Sequence, residues 1–181
     1  MGLDNKNIHG ADEMLKRLEE AKQYLQQDVY EVIGIEAVRH FKKAFTDEGF
    51  TDKNLTKWSV RKTKTKLQRN ILTGQGSGDH LADSIDYKTT PPTVTIFTDK
   101  EYAQIHNEGG EITVTAQMKK FFWAKHKEAK DGGDSEMAEQ YKYMALAKKI
   151  TIPKRQFIGN SETMMNKISE KVQRDLNKIL N

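Results

Sequence analysis

Five histidines, 26 acidic side chains and one glycine-rich loop are the groups in this 181-residue chain that could do chemistry. A helical metal centre needs two histidines one turn apart, as in H-x-x-x-H. His9, His40, His80, His106 and His126 are scattered instead, with no second ligand at metal spacing, so they are expected to be exposed or hydrogen-bonded structural residues. The run Gly74-Gln75-Gly76-Ser77-Gly78 could bring backbone close to a phosphate. A phosphate loop continues with Lys-Ser or Lys-Thr, however, and here Asp79 follows and would repel the anion. Ser77 also lacks the G-x-S-x-G spacing of a nucleophile elbow. The carboxylates are many, but none sits in an apolar setting that would raise its pKa for acid–base work. The absence of cysteine excludes disulfides, thiolate zinc sites, iron–sulfur clusters and thiol nucleophiles, and fits a reducing compartment. The expectation is a non-enzymatic chain with no catalytic residue, no cofactor and no metal.

Charge carries the one functional sign. The net charge of +4 conceals a local excess: residues 1–52 hold 11 acids and 7 bases, whereas residues 53–70 hold seven bases and no acid. Lys57, Arg61, Lys62, Lys64, Lys66 and Arg69 form most of that segment. Seven phosphate contacts would give a salt slope of roughly −6 in logarithmic terms. The alternative is a solvated loop whose charge only keeps it soluble. A second group, Phe121-Phe122-Trp123, could stack on bases, but its place in a helical segment makes burial in a core or an interface the expected role.

Both groups depend on the elements that hold them. Met14, Leu18, Ala21, Leu25, Val29, Val32, Ile35, Val38, Phe41 and Phe45 recur at steps of three and four, which predicts a helix over 12–45. That helix would be about 50 Å long. A single small domain could not easily cover it, so part of it is expected to face a partner. Gly34 marks a kink or a close crossing, and Gly49 is expected to take the left-handed conformation past the last turn. Residues 50–80 read as a flexible basic and glycine-rich loop, with Trp58 as its pin. Alternation around Ile85–Tyr87 and Val94–Phe97 predicts a β-hairpin with Pro91 and Pro92 in its connection. One or two helical turns follow over 100–107, then strands over 111–115 and 149–153. Two helical segments over 116–148 form an inserted αα-hairpin, and Ser161 is placed to cap a C-terminal helix. The whole reads as one α+β domain over 1–181: a long N-terminal helix, a small antiparallel or mixed sheet with the inserted hairpin, and a C-terminal helix.

Three short signatures add a resemblance. They are Leu72-Thr73-Gly74 with Leu81-Ala82-Asp83-Ser84-Ile85, then Tyr102-Ala103-Gln104-Ile105-His106-Asn107-Glu108-Gly109-Gly110, then Ile152-Pro153-Lys154-Arg155-Gln156-Phe157-Ile158-Gly159. In this order, between the long helix and the terminal helix, they resemble the phage virion morphogenesis family, the tail completion proteins of Mu-like long-tailed phages. The chain departs from the pattern in three places. Residues 75–80 lengthen the first turn, Asn107 stands where glutamine is usual, and Gln156 stands where a second proline is usual.

The resemblance implies a structural protein that completes the tail or neck and joins it to the head. It would act as a homo-oligomeric ring, expected to be hexameric, against other tail and neck proteins. Arg155, Phe157, Phe121, Phe122 and Trp123 are the candidate subunit or partner contacts. The basic segment is the candidate for an acidic partner or for DNA in the lumen. A DNA-binding accessory protein using residues 53–70 is the second reading. No apolar run reaches the ~20 residues of a membrane span. Met1–Ile8 shows no basic start leading into an apolar stretch, so assembly in the host cytoplasm and a place in the virion are expected.

Overall fold

The computed structural model describes residues 5–61, 70–73 and 80–181. The fold is α+β, and its contacts group into two compact units: residues 1–103 with 156–181, and residues 104–155.

The first unit is built on helix α1 (Asn5–Gln23), one π-helical turn (Tyr24–Asp28) and helix α2 (Val29–Asp47), which run on from one another. The π turn corrects the expected stripe. Tyr24 and Val29 are both buried although five residues apart, the spacing that a turn with one extra residue permits. Leu25 is therefore turned outward, and Met14 and Leu18 are exposed as well. Gly34 marks a close crossing by a strand: a Cβ there would lie 2.1 Å from the Tyr87 ring. The helix stops at Glu48, not at Gly49; Glu48 holds the left-handed conformation with φ 49° and ψ 46°. Its carboxylate accepts the backbone N–H of Ile71, and its carbonyl accepts that of Trp58 at 2.8 Å.

These two bonds organise part of the segment expected to be a loop over 50–80. Strands β1 (Gly49–Thr51) and β2 (Leu55–Lys57) pair antiparallel, with Phe50 opposite Thr56. Trp58 is buried at 7% exposure and donates its indole N–H to the Gln156 carbonyl at 2.7 Å. Residues 49–58 and 70–72 are thus folded parts of the unit. The remainder of the expected loop, 62–69 and 74–79, lies outside the described residues.

Strands β3 (Asp86–Thr90) and β4 (Thr93–Phe97) form the expected hairpin, with Tyr87 opposite Ile96 and a cis bond between Pro91 and Pro92. Helix α6 (Glu162–Leu180) closes the unit by packing on α1 and α2. Its cap is the predicted one: Ser161 Oγ accepts from Met164 N at 3.1 Å and donates to the Thr51 carbonyl at 2.8 Å. The core gathers Phe41, Phe45, Phe50, Trp58, Ile71, Leu81, Ile85 and Phe157. Phe45 lies at its centre, edge-on to Trp58 at 5.5 Å and tilted against Phe157 at 5.1 Å.

The second unit begins in a short helix α3 (Ala103–Glu108), whose first residue alone belongs to the first unit. Strands β5 (Gly110–Thr113) and β6 (Lys149–Ile152) pair antiparallel, with Ile112 opposite Ile150. Helices α4 (Ala116–Asp131) and α5 (Ser135–Leu146) lie between them in sequence and pack on each other. Thr115 and Asp134 cap the two helices, and Gly133 supplies the positive φ (76°) of the turn between them. Among the described residues the strands pair two by two, antiparallel throughout, in three short ladders.

Candidate functional site

The three sequence signatures turn out to be folding instructions. Leu81 and Ile85 of the first enter the core of the first unit. The His80 carbonyl, just before them, accepts from Asp83 and Ser84 N–H, and Ser84 Oγ lies 2.6 Å from Thr98 Oγ1. The second and third signatures meet inside the second unit. Arg155 N donates to the His106 carbonyl at 2.8 Å, and a Cβ on Gly109 would lie 2.8 Å from the Lys154 nitrogen. Gly109 also has φ 76°, so both its backbone angle and its surroundings demand glycine. Beyond Arg155 the third signature crosses into the first unit. There Gln156, the departure from the family pattern, accepts the Trp58 indole through its carbonyl and fills the space beside Gly159 with its amide.

His40, His106 and His126 take structural places. His40 lies edge-on to Phe41 and Phe50, and its Nε2–H donates to the Thr51 carbonyl at 3.0 Å. Burial lowers its pKa, outweighing the bond to Thr51. Burial also lowers the pKa of His106, and the Arg155 charge adds to the effect. His126 donates Nδ1–H to the Ala138 carbonyl at 2.7 Å, tying α4 to α5. Among the described residues no three His, Asp or Glu side chains gather in a way that could hold a metal ion.

The proposed contact residues divide sharply. Phe157 is a correction: at 1% exposure it is a core ring of the first unit and has no surface to offer a partner. Phe121 and Trp123 remain exposed on α4, and Phe122 is half-buried with its ring 5.7 Å from that of Phe121. No residue of α4 is fully buried. Arg155 is half-buried in the second unit. In the basic segment, Lys57 donates to the Asp47 carbonyl and Arg61 to the Asn70 carbonyl, so both face their own backbone. Lys62, Lys64, Lys66 and Arg69 lie outside the described residues.

Residues 6–177 match the phage virion morphogenesis family. The chain belongs to that family. No curated protein and no solved structure matches it. A role in virion morphogenesis gives the exposed apolar side chains a meaning, since such patches mark contacts with other chains. Met14, Leu15 and Leu18 on α1 form one such group, and Met14, Leu18 and Leu180 line a groove beside Arg17. Tyr143, at 78% exposure, and Leu146 form another on α5. Sequence reasoning missed Tyr143 and Leu146 as surface residues, because α5 carries its buried contacts on alanines, Ala138 and Ala145. None of the described helices is long and apolar enough to cross a membrane.

Proposed function

We propose that this chain is a structural protein that completes the phage tail or neck and joins it to the head. It works there as a ring of identical copies, six being the expected number, in contact with other tail and neck proteins. The family match over residues 6–177 is the observation that carries this reading. The apolar groups on α1 and α5 support it, because they lie on different elements and would meet across a head-to-tail contact, the kind that closes into a ring. No chemical step is assigned to the chain. Its function is to present surfaces.

Light scattering on a size-exclusion column tests the ring, at low and high salt, with purified tails and with a DNA duplex. The expected result is a ring-sized mass, alone or on tails, that ignores both salt and duplex. A monomer on tails that shifts only with duplex, and loses the shift in salt, would replace this reading with that of a DNA-binding accessory protein.

A further inference from the structure

The outer face of α4 carries a feature beyond the apolar groups on α1 and α5. Trp123 is 43% exposed, yet its ring is held: His126 abuts it edge-on at 5.5 Å and is itself fixed to the Ala138 carbonyl. Lys119, Lys120, Lys127 and Lys130 stand four and three residues before Trp123 and four and seven after it. Those spacings put all four within an arc of about 100° centred near the indole. Among the described residues these four lysines close on no carboxylate, whereas Lys125, off that arc, pairs with Glu128 at 2.7 Å. Asp131, the last residue of α4, is the one acid at the edge of the arc.

We propose that this face binds an unpaired DNA strand, the lysines meeting successive phosphates and Trp123 stacking on one base. An acidic protein surface would satisfy the lysines alone. The indole decides for a strand, because an immobilised aromatic amid cations offers a base a face to stack on, which duplex DNA cannot use without unstacking. The site lies on α4, distant in sequence from the basic segment 53–70, and the proposal holds whether or not the chain closes into a ring.

The chain has two tryptophans, and Trp58 is buried in the core, so quenching by a ligand reports on Trp123. Titration of the full-length protein with oligothymidylate should quench its fluorescence. The affinity should fall with salt at a logarithmic slope of about −3, as expected for four phosphates on a single strand. Trp123→Leu should weaken binding by roughly tenfold or more. The exposed double variant Lys120→Gln/Lys127→Gln should keep the quenching at saturation and reduce the slope to about half. Lys62→Ala/Lys64→Ala/Lys66→Ala should bind like the parent. Binding without quenching, equal binding of duplex, or equal competition by polyglutamate would each overturn the proposal.

Discussion

Single residues in this chain sort by what they face, and their substitutions should sort likewise. Phe157→Ala should cost about 3–5 kcal/mol in urea unfolding, the usual price of emptying a packed aromatic site, because the ring touches Phe45 in the core. Phe121→Ala should change stability by less than about 0.5 kcal/mol, since that ring is 55% exposed. His40 and His106 give the protein a pH dependence of definite sign. Burial lowers both pKa values, so near neutral pH both rings are uncharged, folded or unfolded. Below the unfolded value of about 6.5 the unfolded chain binds more protons, and stability falls as pH falls. The urea midpoint should therefore be flat above about pH 7.5 and decline from about 6.5 downward. His40→Gln/His106→Gln should flatten that decline. Asp175 adds a second fall at lower pH, because its bond to Lys171 lowers its pKa and that stabilisation is lost on protonation.

Elements were legible where periodicity or capping chemistry is local. The long helix, the hairpin around Pro91-Pro92, the inserted helices and the Ser161 cap all follow from spacing and side-chain type. The π turn did not show, because Leu25 fits a stripe of threes and fours as well as Tyr24 does; only packing chooses between them. The strands β1 and β2 were hidden by their length of three residues each and by the cations around them. What holds them is distant in sequence: the Glu48 carboxylate on Ile71 N–H and the Trp58 indole on Gln156. Phe157 was misread for the same reason, since a lone aromatic in a motif does not announce which side of a surface it will occupy. Caps provide a test at this scale. Ser161→Ala should destabilise by about 1–2 kcal/mol in urea unfolding, because its buried hydroxyl both caps α6 and donates to Thr51. Thr115→Ala, whose hydroxyl makes a single exposed bond to Met118 N–H, should cost about 0.5–1 kcal/mol.

At the scale of the whole molecule, the chain reads as a carrier of contact surfaces. Among the described residues His40, His106 and His126 bond or pack within the fold, and we propose that the exposed apolar groups on α1 and α5 serve contacts with other chains. The candidate site was legible only in part. The sequence places Phe121 and Trp123 in a core or an interface, and their exposure removes the core, whereas the groups on α1 and α5 emerge only once packing assigns the inward faces. The basic segment adds a separable prediction: Lys62→Glu/Lys64→Glu/Lys66→Glu should fold with an unchanged urea midpoint but lower phage yield. A normal yield would remove that segment from the joining function. We propose that the chain joins tails to heads. Electron microscopy of lysates from a phage lacking this chain tests it most directly. A joining role predicts separate DNA-filled heads and unjoined tails, converted to infectious particles when the purified protein is added. Intact joined particles in its absence would contradict that role.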